Sequence, residues 1–588
     1  MLRGISIKEP AFYCGTMSDE IRNVRGYTGL QTFFPTLTGL NSDIGKIRGQ
    51  EVWMDHAWRI VGMDLSGGTG ACKVRIQRNS SAGAGVAPET RRVFLKVTHL
   101  LDPIHWIRGE YSLPSDAALP GNQKTWATAW KKLHDPWNQA YIESVASYAL
   151  GRLAEEGVTP HFNSFYGSFC AKAATYRYNL TDDFYSYRDE RWFWTGYDKS
   201  LFRLSVRHRK NPDEPVPEKI REFVFDADID FDESSSISTD SEEKELENIV
   251  VDSVKEGSIH SADSMSSVSF EKSSSDGSST AESDMSDILD AYEVHAEMTD
   301  YPVMLIFTEM NEGTMEDLLT NFEEVGAAPG MVEWEERWTA WLFQVIAGLV
   351  CAQKIIGFTH NDLHTNNIVW TKTEEEFLYY RTGEGTVYRV PTFGKIFKII
   401  DFGRAIFSVN GTMYISDDFK EDNDAGEQYA FSPLCEGYEK EVPPNPSFDL
   451  CRLAVSLLGS LFPVKPDEIE DGDVLSKEKG LVVKETVSEL YNLLWSFMID
   501  DAGKNVFINP DESERFPNFD LYKHIAEWVH VAVPAEQVGK AIFRGFVISG
   551  AAISGAAISG AAISGAAISG AAISGAAISG AKIYPLFL

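Results

Sequence analysis

Between residues 51 and 100 the chain sets short apolar runs between turn signals: Trp58-Arg-Ile-Val61, a glycine-rich turn at Ser66-Gly-Gly-Thr-Gly70, Lys73-Val-Arg-Ile-Gln77 and Arg92-Val-Phe-Leu-Lys-Val97. Short strands with this punctuation predict a β-meander. The period then changes. From Trp137 to Glu156 apolar residues recur at Ile142, Val145, Ala149 and Leu153, steps of three and four that share one helical face. Gly157 and Pro160 follow as stop signals. Tyr301-Pro-Val-Met-Leu-Ile-Phe-Thr308 predicts a buried strand, and Trp334–Lys354 a long apolar helix through Trp338, Trp341, Leu342, Val345, Leu349 and Ala352. The remainder to about 540 reads as mainly helical.

Two segments break this alternation. Residues 226–300 hold about 22 acidic residues against 3 lysines, with many serines and no sustained apolar period. Such a stretch cannot bury enough surface to offset chain entropy, so a disordered acidic Ser-rich insert is expected. From Ile548 to Gly580 the unit Ile-Ser-Gly-Ala-Ala repeats with a period of five. The unit resembles the pentapeptide-repeat family, whose coils take about four units each; seven units make fewer than two coils, which predicts an expansion without a core of its own. Ser or Gly at two of every five positions disfavours a membrane span there.

The whole chain of 588 residues carries 87 Asp and Glu against 53 Lys and Arg, a net charge of −34. A field of that sign repels phosphate backbones and excludes a general nucleic-acid binder. Residues 1–15 contain Arg3 and no apolar run of secretory length. The six cysteines include no Cys-x-x-Cys pair, which fits free thiols in a reducing compartment. An intracellular address, cytoplasm or nucleus, is the expectation.

The chemistry concentrates in Phe358-Thr-His-Asn-Asp-Leu-His-Thr-Asn-Asn-Ile-Val-Trp370 and, further on, Phe397-Lys-Ile-Ile-Asp-Phe-Gly403. Phosphoryl transfer needs a carboxylate near the attacking hydroxyl, ligands for magnesium and a cation on the nucleotide phosphates. His360-Asn-Asp-Leu-His-Thr-Asn-Asn367 follows the catalytic-loop pattern His-Arg-Asp-Leu-x-x-x-Asn except at Asn361, and Asp401-Phe-Gly403 matches the metal-binding Asp-Phe-Gly motif. On these motifs residues 51–540 resemble a divergent eukaryotic-type protein kinase, with haspin-like wording and some likeness to kinase-domain proteins of large DNA viruses.

That resemblance implies an α+β, two-lobed fold: an N-terminal extension (1–50), a small β-rich lobe with insertions (51–225), the acidic insert (226–300), a hinge and larger helical lobe (301–540) and the repeat tail (541–588). It implies ATP and Mg2+ as cofactors. Asp362 would be the catalytic base, Asn367 and Asp401 the magnesium ligands, and Lys96 the phosphate-contacting strand lysine, with Glu143 as its ion-pair partner. Gly67, Gly68, Gly70 and Val74 would cover the phosphates. Glu309, Met310 and Asn311 would receive adenine at the hinge, with Thr308 at its gate, and Asp449 would hold the catalytic loop through its amides.

Departures matter as much. Thr69 and Cys72 replace two of the loop glycines, Asn361 cannot pair with a phosphorylated activation loop, and no Ala-Pro-Glu closes that segment. Asp362-Leu-His364 also occurs in haspin-like kinases and in small-molecule kinases of the aminoglycoside and choline type. The expected activity is transfer of the ATP γ-phosphoryl to a Ser or Thr of a protein substrate. The alternatives are a pseudokinase scaffold, whose acidic insert recruits a basic partner, and a small-molecule kinase. A metal-hydrolase cluster of His360, Asp362 and His364 fits poorly, since it leaves Lys96 and Glu143 without a role.

Overall fold

A computed structural model describes residues 11–15, 17–41, 44, 51–65, 70–78, 87–111, 119–120, 127–209, 214–225, 291–421, 423–435, 440–478, 481–509, 513–548 and 582–588. Most of the insert (226–290) and of the repeats (549–581), and with them Gly67 and Gly68, lie outside the described residues. The chain divides into two compact units: Met1–Leu100 with Asp116–Lys172 and Pro302–Leu588, and Leu101–Ser115 with Ala173–Tyr301.

The first unit is α+β. Strands β1 (Tyr27–Gln31), β2 (Trp58–Asp64), β3 (Gly70–Arg78), β4 (Glu89–His99), β5 (Phe165–Ala173) and β6 (Tyr301–Glu309) form a curled sheet in the order β1-β5-β6-β4-β3-β2. The expected meander is β2-β3-β4, antiparallel throughout. Strand alternation buries Val93 and Leu95 of β4 in the core and puts Phe94 and Lys96 on the opposite face. There Lys96 pairs with Ile306 of β6 and Phe94 with Thr308.

Helix α1 (Gln139–Glu155) starts at Asn138, whose side chain accepts from Ala140 N and donates to Leu100 O at 2.9 Å, so the helix is pinned to the end of β4. The long helix α2 (Val332–Ile356) buries Trp334, Trp338 and Trp341 in a row, the first contact tilted and the second edge-on, and ends on Gly357 at φ 61°. Each buried ring contributes on the order of 3 kcal/mol. Among the described residues α2 is the one helix long and apolar enough to cross a membrane, and nearly all of it is buried within the protein.

The region expected to be mainly helical is mixed. It holds β7 (Ile368–Lys372), β8 (Phe377–Thr382), β9 (Val387–Pro391) and β10 (Lys395–Ile399), beside helices α3 (Phe448–Leu461), α4 (Glu489–Phe497) and α5 (Asp520–Trp528). In the β8–β9 hairpin β8 alternates half-buried and buried residues over six positions and β9 is irregular, a pattern too short to stand out beside long helices. The residues after 541 also join the body. Phe543 and Phe546 pack on Phe343 of α2, and β11 (Ile583–Leu586) runs parallel to β8. The apolar run after the last repeat, Ile583-Tyr-Pro-Leu-Phe-Leu588, is what makes this strand.

The second unit has a three-stranded antiparallel sheet of Tyr176–Asn179, Tyr292–Met298 and Arg203–His208, with helices at Arg191–Asp198 and Glu218–Phe225. Its central strand falls at 292–298, inside the stretch expected to be disordered. Val294, Ala296 and Met298 alternate inward there, a strand signal masked by the acid-rich residues before it. Tyr301 stacks on Tyr176 at 4.9 Å and donates to Leu101 O at 2.6 Å.

Candidate active site

Three elements far apart in sequence meet at one ammonium group. Lys96 Nζ lies 2.6 Å from Glu143 Oε1 and 2.7 Å from Asp401 Oδ1, the latter 305 positions along the chain. Burial works against a charged Lys96, but Asp401 and Glu143 outweigh it and hold its pKa well above the ordinary lysine value. Asp401, which burial alone would push up, is held below its usual value by Lys96. It follows β10 with φ 66°, a left-handed conformation that Asp tolerates better than most residues. Phe402 behind it packs edge-on against Phe358 and His360 and tilted on Phe162.

The loop after α2 is held from below. Asp449 of α3 is fully buried and accepts from His360 N (2.9 Å) and Asn361 N (2.9 Å). His360 is also buried and bonds Ile400 O through Nε2 at 2.8 Å, tying the loop to the segment that carries Asp401. Asn361, at φ 65°, is a buried node: Nδ2 donates to Arg404 O at 2.8 Å, and Oδ1 accepts from Tyr429 OH at 2.6 Å. An amide serves here because every partner is uncharged.

Asp362 follows on this loop and, unlike Asn367, does not line the cavity beside Lys96. Burial opposes its ionisation, but Arg404, His364 and Arg452, together with the Tyr522 hydroxyl, hold its pKa below the usual carboxylate range. Asn367 Nδ2 donates to Asp362 O (2.9 Å) and contacts His364 Nε2 (3.2 Å), which leaves its amide oxygen for a cation. Burial lowers the His364 pKa, against the pull of Asp362.

A cavity of about 450 Å3 adjoins these groups. Lys96, Glu143, Asn367 and Asp401 line one end, and Phe94, Asn163, Thr308, Met310, Asn311 and Val369 line the rest. Asn163 and Asn311 contribute to this lining, and their Oδ1 atoms are buried without a hydrogen-bond partner among the described residues. Buried polar atoms left without a partner are uncommon, which sets these two amides apart from the rest of the lining. For magnesium, one carboxylate and one amide oxygen are hard oxygen donors of the kind that ion takes beside phosphates. Among the described residues no cluster of three or more His, Cys, Asp or Glu side chains is placed to hold a metal by itself.

Not every expected residue lies here. Glu309 turns away from the cavity, as alternation along β6 requires: its carboxylate takes Ser164 N at 3.1 Å and Lys398 Nζ at 2.6 Å, and its own N donates to Ser164 O. Met310 and Asn311 do line it. Gly70 opens β3 at φ 99° and Val74 is buried in the sheet; neither lines the cavity.

Sequence reasoning missed a clamp on the start of α1. Asp417 accepts from the helix-terminal Gln139 N at 3.0 Å and from Lys132 Nζ at 2.6 Å, and its own N donates to Trp137 O at 2.7 Å. Asp418 accepts from Gln139 Nε2 at 2.7 Å. Gln139 precedes Glu143 by one turn, so the segment after Asp-Phe-Gly sets where Glu143 stands. A carboxylate at a helix N-terminus is itself stabilising. Nothing marks two aspartates out in so acidic a chain; the signal that existed was their position beyond Asp401-Phe-Gly403. No protein-family model matches the chain, and no curated protein matches it.

Proposed function

We propose that this chain is an ATP- and magnesium-dependent phosphotransferase with a two-lobed, protein-kinase-like build, transferring the ATP γ-phosphoryl to a Ser or Thr hydroxyl of a protein. The observation that carries the reading is the double ion pair of Lys96 with Glu143 and Asp401, on the wall of a nucleotide-sized cavity that Asn367 also lines. Lys96 would bind the α- and β-phosphates, and Glu143 would keep its ammonium in place. Asp362 would accept a hydrogen bond from the acceptor hydroxyl and orient it for in-line attack. Bound magnesium, held by Asn367 and Asp401, would neutralise phosphate charge. Asp449 supports the protein-kinase branch over the small-molecule branch, because its helix holds the loop amides as that resemblance implies.

The test is transfer from radiolabelled ATP to dephosphorylated casein, to a Ser/Thr peptide panel and to the chain itself. Asp362→Ala and Asp401→Ala are expected to abolish transfer with circular dichroism unchanged; an unaltered rate in either refutes the assignment. A second reading, a nucleotide-free pseudokinase scaffold, draws on Cys72, which is buried in β3 where a loop glycine is expected. Mg-ATP raises the melting temperature of a nucleotide-binding chain and leaves that of a scaffold unmoved.

A further inference from the structure

The oxygen of Asp362 that faces α5 is already occupied. Tyr522 OH donates to Asp362 Oδ1 at 2.8 Å, while Arg452 Nε donates to the same hydroxyl at 2.9 Å. A phenol has one proton. With Arg452 supplying a hydrogen bond to its lone pair, that proton is directed to the carboxylate. The ring itself is fixed: Tyr522 is 6% exposed, stacked on Phe519 at 5.2 Å and packed on Phe448 at 5.7 Å, with the Arg452 guanidinium 5.3 Å from its centroid.

Arg452 stands three residues after Asp449 on α3, so both project from one helical face. Asp449 takes the loop's backbone amides, and Arg452, through Tyr522, takes its carboxylate. The other oxygen, Oδ2, is 3.9 Å from His364 Nε2, beyond hydrogen-bond reach.

On the phosphotransferase reading above, we propose that Tyr522 is a positioning residue: it holds Asp362 Oδ1, fixes the carboxylate plane and dedicates Oδ2 to the acceptor hydroxyl. The Arg452–Tyr522 pair thus does from α3 and α5 what neither the loop nor the segment after Asp401 does for this oxygen. A base free to rotate would spend part of its time misaligned, which lowers the rate of transfer without touching nucleotide binding.

Tyr522→Phe tests this, since it deletes one oxygen and keeps the stacked ring. With Mg-ATP and dephosphorylated casein, kcat is expected to fall about ten- to a hundred-fold, with KM for ATP and the Mg-ATP melting shift within twofold of wild type. Phe519→Leu, which disturbs the same stack and leaves the hydrogen bond, is expected to keep kcat within twofold. Three results overturn the inference while leaving the reading intact, provided wild type transfers and Asp362→Ala does not. They are an unchanged kcat in Tyr522→Phe, equal losses in Tyr522→Phe and Phe519→Leu, and a faster Tyr522→Phe enzyme, which would mark the phenol as an occupant of the acceptor's place. Wild-type chain that transfers to neither casein, the peptide panel nor itself overturns the reading and the inference with it.

Discussion

The two ends of the cavity are built on opposite principles. At the charged end, Lys96, Glu143 and Asp401 hold one another from three distant parts of the chain, and Asn367 is held by its own loop through Asp362 O, while Asp362 beside the cavity is held by Tyr522. At the other end Phe94 is 38% exposed, and the oxygens of Asn163 and Asn311 are buried without partners among the described residues. The first end is complete as a network of protein groups; the second has valences left over. Interlocked charges fix the chemistry, and leftover valences leave the identity of the ligand to the ligand.

If that contrast is right, substitutions at the charged end should be far more costly than at the other. The largest effect is expected for Lys96→Met, which removes the cation and leaves two carboxylates facing each other. Phosphotransfer should drop about a thousand-fold, the scale of losing a preorganised charge contact. Steady-state rates with Mg-ATP measure it, and a loss under tenfold would erase the contrast.

Next comes the support beneath that end. Asp449→Ala strands the amides of His360 and Asn361 in a fully buried site, and hydrogen bonds to a buried carboxylate are expensive to lose. Urea unfolding should show a loss of about 3 kcal/mol.

The clamp on α1 should matter less to stability but reach the site through Glu143. Asp417→Ala removes a helix-terminal acceptor and the partner of Lys132, for about 1 to 2 kcal/mol and a partial loss of rate. Its neighbour gives a pH signature. Burial pushes Asp418 up to about 8 against the pull of Arg404, with Asp424 and Asp417 adding to the rise. An unfolded carboxyl titrates near 3.9, so above about pH 4 the fold holds a proton that the unfolded chain has released. The contribution of this carboxyl to stability is therefore full below pH 4 and declines as pH rises toward 8; Asp418→Asn should flatten that part of the decline in melts between pH 5 and 8.

What the sequence made legible follows the same division. The meander, helix α1, strand β6, helix α2 and the charged residues were readable because each has a local signature: a period, a stop signal, a motif with fixed spacing. Lys96 could be paired with Glu143 before any coordinates because the order of the motifs, with Asp401 beyond them as a metal ligand, resembles one known arrangement; the direct bond of Lys96 to Asp401 was not part of that expectation. The β8–β9 hairpin was not readable because its period is short and broken in β9, and the strand at 292–298 and β11 because each is a short run whose partner lies far off or inside a compositional background that hides it. Tyr522 and Arg452 were invisible for a related reason: nothing near them in sequence says that a tyrosine 160 positions after Asp362 will reach its carboxylate.

The smallest expected effect tests the permissive end. Phe94 stands opposite Thr308 in the sheet register and presents its ring at the cavity, where a base would lie against one face of it and Val369 also lines the wall. Because the ring is partly exposed and Val93 and Leu95 carry the core contacts of β4, Phe94→Ala should change the melting temperature of the free chain by little. Aromatic stacking contributes about 0.5 to 1.5 kcal/mol, so KM for ATP should rise by at most about tenfold, with kcat unchanged. A loss of kcat as large as that of Lys96→Met would mean that the two ends are one rigid network. A tighter KM would mean that the ring fills the place of the base instead of receiving it.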